Sequence, residues 1–405
     1  MNSLPIIVFV IVYLGMGLGT VPGLAIDRTG IALLGLITLF ATREMTLAQA
    51  GAAIDTPTIA LLFALMIVSA QFEQSGFYAW AAEHVTRAAA NPKLLLATMI
   101  AATGLLSALL TNDVVVFALT PLICSSLLAL KLDPRPYLVG LAGAANAGSA
   151  LTLIGNPQNI LIGQAGHLDF WRYTAMALPP TLIALAVIYV VITLTWQIKP
   201  ATPAAIVPAV LNPYQLTKAV LAIVALIVLF FTPLPREVSA LAVAGVLLLS
   251  RRLSSRDMIG AVDWHLLLLF VCLFGVTEAF ARTGLAQDGL AWFEQLGLLP
   301  QRLSVMMPVT LAFSNTIGNV PAVILIIKLL PNIGEGPLAG LALLSTLSGN
   351  LLLTGSMCNI IIAERAATVG ARLSFIDFAR SGIIMTLISL AAATGWLWFT
   401  GLMQL

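Results

Sequence analysis

The chain has 405 residues, 60% of them apolar and only 9% Asp, Glu, Lys or Arg, with a formal net charge of +2 and a mean hydropathy of +1.03. Soluble domains carry about 25% charged residues, so a soluble enzyme, a nucleic-acid binder and a disordered chain are excluded. Continuous apolar runs replace the alternating segments of a β-barrel and make this an all-α polytopic membrane protein with the lipid bilayer as its first partner.

A spanning helix needs about 20 apolar residues. Spans are expected at 4–22, 29–42, 56–75, 138–165 and 173–197, then at 215–232, 236–250, 263–283, 337–367 and 377–402, with 29–42 and 236–250 short. The first run has no preceding positive charge and no small-residue cleavage site after it, so it reads as a permanent span. Two stretches, 94–131 and 302–331, are too long for one crossing and are interrupted at Thr111-Asn112-Asp113 and between Ser314 and Pro321. Each reads as two half-helices meeting at a polar tip, a re-entrant hairpin; one long kinked helix is the alternative. Irregular backbone at that depth has to be satisfied by protein or by a watery cavity. The spans 138–165 and 337–367 are broken at Gly155-Asn156-Pro157 and Thr354-Gly355-Ser356. Segment 198–214, rich in Pro and Ala, reads as a linker. Segments 76–92 and 285–300 read as amphipathic interfacial helices. Cys124, Cys272 and Cys358 all lie in apolar runs, which argues against a disulfide framework.

The two halves repeat in order at an offset of about 200–210 residues. Asp55, Phe72, Gly76, Asn112, Gly155 and Asn159 match Asp263, Phe280, Gly284, Asn319, Gly355 and Asn359. The first repeat is 1–197 and the second 215–405, each with five transmembrane helices and one re-entrant hairpin. An odd number of crossings inverts the second repeat. Inverted repeats with paired broken helices indicate a secondary transporter with its site near the midplane. With the N-terminus outside, most basic residues, including Arg28, Arg87, Lys131, Lys199, Arg251, Arg252 and Arg365, fall on the cytoplasmic side. Both termini are therefore expected outside the cell (inner) membrane.

The four interruptions offer Thr111, Asn112, Gly155, Asn156, Gln158 and Asn159 from the first repeat, and Ser314, Asn315, Asn319, Thr354, Gly355, Ser356 and Asn359 from the second. Half-helix N-termini suit oxyanions; C-termini and unwound carbonyls suit Na⁺. The same Ser, Thr and Asn residues also serve as helix–helix glue. Asp113 is an ionisable side chain within a membrane segment, which marks it as functional. With Asn112 and Asn319 it is the candidate for the coupling ion, H⁺ or Na⁺; capping the following half-helix is its alternative role. Glu278 is a second proton-site candidate. Cys358 is either a contact for a thiophilic metalloid or a core residue. No Arg or Lys falls in the four motifs, so no bidentate clamp on a carboxylate is visible there. No catalytic motif is found, and no cofactor beyond the coupling ion is expected. A channel is disfavoured by unlike tips and by the lack of a charged ring.

Leu110-Thr111-Asn112-Asp113 with Leu119-Thr120-Pro121, and Asn146-Ala147-Gly148-Ser149 with the run Ile154 to Ile162, resemble the ion-transporter superfamily of citrate carriers, dicarboxylate carriers and arsenite permeases. The second run is closest to a bacterial inner-membrane anion-permease branch. Ser75-Gly76-Phe77 and the run Ser381 to Leu387 are similar to the arsenite permeases. The resemblance implies a scaffold plus an elevator-type transport domain, often in homodimers, with substrate and sodium at the hairpin tips and broken helices. Carboxylate carriers have an uncharged Ser-Asn-Thr at the first tip where this chain has Thr111-Asn112-Asp113; the Asn-Asp pair is shared with arsenite permeases. The expectation is ion-coupled secondary transport of a small oxyanion or metalloid, first arsenite or antimonite efflux by proton antiport. Undissociated arsenous acid is neutral and needs no positive clamp. Sodium- or proton-coupled transport of citrate or succinate is the alternative.

Overall fold

The computed structural model describes residues 3–18, 25–87, 91–198, 210–285, 288, 295, 301–330 and 333–405. Among these the first half contributes α1 (Leu4–Leu18), α2 (Arg28–Ala41), α3 (Leu47–Ala53), α4 (Thr56–Gln74), α5 (Phe77–Thr86), α6 (Pro92–Leu109), α7 (Asn112–Ala129), α8 (Arg135–Ser149), α9 (Pro157–Ala165) and α10 (Phe170–Thr195). The second half contributes α11 (Pro213–Leu229), α12 (Arg236–Leu248), α13 (Ser255–Gly260), α14 (Trp264–Ala281), α15 (Leu303–Thr316), α16 (Asn319–Leu329), α17 (Glu335–Ser348), α18 (Met357–Thr368) and α19 (Phe375–Phe399).

Helix starts follow local chemistry. Asp55 and Asp263, at matched positions, accept from Thr58 N (2.9 Å) and Leu266 N (3.0 Å) and so cap α4 and α14. Thr46 and Ser254 likewise cap the short α3 and α13, two helices that the apolar pattern did not reveal. Helix α5 lies within 76–92, whereas most of 285–300 and of the 198–214 linker lies outside the described residues. Six described helices, α4, α6, α7, α10, α14 and α19, are long and apolar enough to cross a membrane.

The packing repeats itself. Helix α4 packs on α11 and α12, and its counterpart α14 packs on α1 and α2. Helix α8 packs on α6 and α10, as α17 does on α15 and α19. The repeats also interlock: α7 lies against α18, and α16 against α9. One group of helices (α1, α2, α4, α11, α12 and α14) thus flanks a second built from the hairpins, the broken helices, α10 and α19.

The interruptions differ in extent from the sequence expectation. The first broken helix stops at Ser149 and resumes at Pro157; the second stops at Ser348 and resumes at Met357 after a single 3-10 turn, Leu353–Gly355. In the second hairpin only Ile317 and Gly318 separate the arms. Ser314, Asn315 and Thr316 remain helical, and Pro321 sits in the first turn of α16, where its missing N–H breaks no bond. Arms α6 and α7 have 18 residues each, about 27 Å, the length of a full span. Their junction is nevertheless buried against the first broken helix: Asn112 N donates to Gly155 O (2.9 Å) and Thr152 Oγ1 to Ala108 O (2.6 Å).

Candidate solute site

The unwound stretches carry free carbonyls, and buried carboxamides satisfy them identically in both repeats. Asn159 Nδ2 donates to Ser149 O (3.4 Å) and Thr152 O (3.1 Å). In the second repeat, 200 positions on, Asn359 Nδ2 donates to Gly349 O (2.8 Å) and Leu352 O (3.1 Å). Asn315 Nδ2 donates to Ser348 O (2.9 Å) and its Oδ1 accepts from Leu352 N (3.2 Å). Asn319, its carboxamide oriented by its neighbours, donates to Ser314 Oγ (3.1 Å) and Gly355 O (2.9 Å).

Two residues that the interruptions did not reveal tie the repeats together. Asn146 of α8 donates to Asn350 Oδ1 (2.8 Å) and Asn359 Oδ1 (2.9 Å), and accepts from Asn112 Nδ2 (3.2 Å) and Ser356 Oγ (3.0 Å). Its counterpart Thr346 of α17 accepts from Asn156 Nδ2 (3.2 Å) and donates to Asn159 Oδ1 (3.2 Å). Every one of these side chains except that of Asn315 is buried. Their signal in sequence is a lone polar residue on an otherwise small and apolar helix face.

In front of this layer the hairpin tips face each other across a narrow cavity of about 40 Å³, room for no more than a few waters. Of the expected site residues, Asn112, Asp113, Gln158, Asn319, Thr354 and Ser356 line it. Thr111 lines a wider neighbouring cavity. Gly155, Asn156, Asn159, Ser314, Asn315, Gly355 and Asn359 do not line the narrow cavity. The first turns of α7, α9, α16 and α18 all contribute to its wall, so the partial positive ends of four helices border it; Asn112 N, Asp113 N and Asn159 N are already bonded to Gly155 O, Asn112 Oδ1 and Asn156 Oδ1.

Arg28 and Asp113 are the charged side chains lining the cavity among the described residues. Arg28 comes from outside the four motifs. Helix α2 has 14 residues, about 21 Å, too short to cross a hydrocarbon core of about 30 Å, and its first residue reaches the hairpin tips. Met16 and Met357 add thioethers to the wall. Cys358 is buried behind it and does not line it.

Two wider cavities, of about 990 and 400 Å³, reach Asp113 from one side. They are lined by Glu73, Arg256, Asp257, Asp263, His265 and Glu364 among others. The far end of α14 is tied to its neighbours by polar contacts. There, about 22 Å along the helix from Asp263, Glu278 pairs with Lys328 of α16 at 2.5 Å, and Arg236 of α12 donates to the Leu168 carbonyl. Tyr13 Oη and Thr277 Oγ1 hydrogen-bond at 2.7 Å beside them. The two wide cavities thus reach Asp113 from the end of α14 that carries Asp263 and His265.

Residues 7–339 match the family model described as CitMHS, citrate transporter. The chain belongs to the CitMHS citrate-transporter family. It is a secondary transporter of that family, within the ion-transporter superfamily. The inner membrane protein YbiR of Escherichia coli is 32% identical over 330 residues, covering 78% of this chain and 81% of YbiR. A silicon efflux transporter of Oryza sativa is 32% identical over 168 residues, covering 42% of this chain and 35% of the rice protein. The crystal structure of the Alcanivorax borkumensis YdaH transporter, at 17% identity, superposes with a TM-score of 0.57 over 98% of this chain and 97% of that one, which establishes a shared fold.

Proposed function

We propose that this CitMHS-family protein is an ion-coupled secondary transporter of a small oxyanion or metalloid acid, with arsenite or antimonite efflux by proton antiport the first reading. The observation that carries it is the convergence of four helix N-termini on one narrow cavity that holds a single carboxylate, Asp113. Helix N-termini at its wall suit an oxygen-rich solute. The small volume suits one of few atoms, and the thioethers of Met16 and Met357 suit a soft metalloid centre. The rice relative's name, a silicon efflux transporter, agrees with a metalloid hydroxide.

Proton coupling is favoured over sodium by the hydrogen bonding. The carbonyls that an Na⁺ site would use, Ser149 O, Thr152 O, Gly349 O and Leu352 O, already accept from Asn159 and Asn359. Asp113 is 8% exposed, and among the described residues no hydrogen bond reaches its carboxylate. It is free to exchange a proton through the wide cavities. The mouth of those cavities is the end that the placement of basic residues makes cytoplasmic, so solute would load from inside. Alternating access then requires the hairpin-bearing group to move against the other, as an elevator.

Coupled transport of a di- or tricarboxylate such as citrate or succinate is the second reading, favoured by the family's description as citrate transporters. Thermal unfolding of the purified protein with arsenite, antimonite, citrate, succinate, sulfate and Na⁺ separates the two. Stabilisation by arsenite or antimonite alone supports the first. Stabilisation by citrate or succinate, with no effect of arsenite, replaces it with the second.

A further inference from the structure

Asp113 and Arg28 both line the narrow cavity and the wider one beside it. Arg28 is anchored by Nε donating to Met16 O (3.0 Å) and Nη1 contacting Met357 Sδ (3.8 Å). Among the described residues it makes no ion pair. A guanidinium has five N–H donors, so most of its donors remain free while one edge is held in place. Arg28 is half-buried, and Glu364 of α18 acts on it from the wall of the wider cavity; a cation fixed at a solute cavity still offers its free donors to whatever binds.

We infer that Arg28 is a solute-binding residue, and that through it the cavity accepts a small monoanionic oxyanion in addition to a neutral metalloid acid. This rests on the cavity being the solute site, as proposed above. Asp27, Asp263, His265 and Glu364 stand on the wall of the wider cavity beyond; within the narrow one, ionised Asp113 cancels Arg28 and the site suits a neutral solute. With Asp113 neutralised by a proton, Arg28 leaves one positive charge, which the converging helix N-termini reinforce and a monoanion cancels. Proton and anion then bind together, one for one, whereas neutral acid binds without that requirement. Arg28 thus sets which charge state of solute the site prefers.

Equilibrium binding of acetate, nitrate and arsenous acid to purified protein in lipid nanodiscs tests this. The wild type is expected to bind acetate or nitrate. Arg28→Gln weakens that binding at least about tenfold, the loss of charge-assisted hydrogen bonds, while arsenous acid changes by less than about threefold, a neutral bond's share. Arg28→Lys restores part of the anion binding, and Asp113→Asn, which fixes the neutral form, tightens it. Equal loss of anion and arsenous acid in Arg28→Gln would make Arg28 merely structural and overturn the inference. So would unchanged anion binding in that variant. If arsenous acid binds the wild type and no anion does, this inference alone falls; if neither binds, the reading of the cavity falls with it.

Discussion

Asn146 and Asn359, on broken helices of opposite repeats, share a hydrogen bond of 2.9 Å from Nδ2 to Oδ1. The same Asn146 accepts from Asn112 of the first hairpin and Ser356 of the second broken helix. One carboxamide therefore holds three of the four interruptions in register. In an interior without water, each bond it makes is also a group that needs a partner.

Asn146→Ala removes one hydrogen bond each from Asn112 Nδ2, Asn350 Oδ1, Asn359 Oδ1 and Ser356 Oγ. The expected loss is about 1–3 kcal/mol, read as a lower midpoint of thermal unfolding in detergent. Asn146→Asp replaces the donors with a second buried charge near Asp113 and should be worse than Ala. An Asn146→Ala protein as stable as the wild type would remove this residue from the centre of the assembly.

Close approach of the first hairpin to the first broken helix depends on Gly148. A Cβ at this position would overlap the backbone of Gly104 on α6, including its carbonyl carbon at 2.6 Å. Backbone cannot yield as a flexible side chain can. Gly148→Ala is expected to cost about 1–3 kcal/mol or more and to lower the yield of folded protein; Gly245→Ala, with open space around its Cβ position, is the matched control and should be neutral.

Glu278 is expected to be dispensable for proton coupling. Its carboxylate is held by Lys328 at 2.5 Å, and the pair is partly exposed, at 23% and 46% for the two side chains. Such pairs contribute at most about 1 kcal/mol. Glu278→Gln should keep proton-driven flux and lose little stability, and the exchanged pair Glu278→Lys with Lys328→Glu should recover what the single change loses. Loss of proton dependence in Glu278→Gln would return this residue to the coupling pathway.

Most helices were legible because apolar runs, Asp and Asn caps and matched motifs all point the same way. The hairpin tip at Thr111-Asn112-Asp113 was legible for the same reason: polar groups within a membrane segment are costly without a purpose. The extent of the breaks was not. Ser149 and Ser348 end their helices six residues before Gly155 and Thr354, where the motifs that advertise the interruption begin, because the intervening backbone is satisfied by Asn159 and Asn359, which lie after the break. Arg28 was legible only as a basic residue at a span end. Its arrival at the hairpin tips depends on the shortness of α2 and on tertiary packing, neither of which periodicity encodes. Asn146 and Thr346 differ chemically at matched positions, which hid their common role.

The end of the molecule with the two wide cavities should face the cytoplasm. A cysteine placed at Arg256, which lines the wide cavity, should react with a membrane-impermeant maleimide in inside-out vesicles and not in right-side-out ones, and a C-terminal reporter should be active only outside. The reverse pattern would invert the topology.

The most direct test of the account is proton-driven arsenite flux in proteoliposomes carrying the wild type or Asp113→Asn. The account predicts that an imposed pH gradient drives arsenite movement in the wild type and that this dependence disappears in Asp113→Asn while the protein remains folded. An unaltered response to the pH gradient in that variant would contradict it.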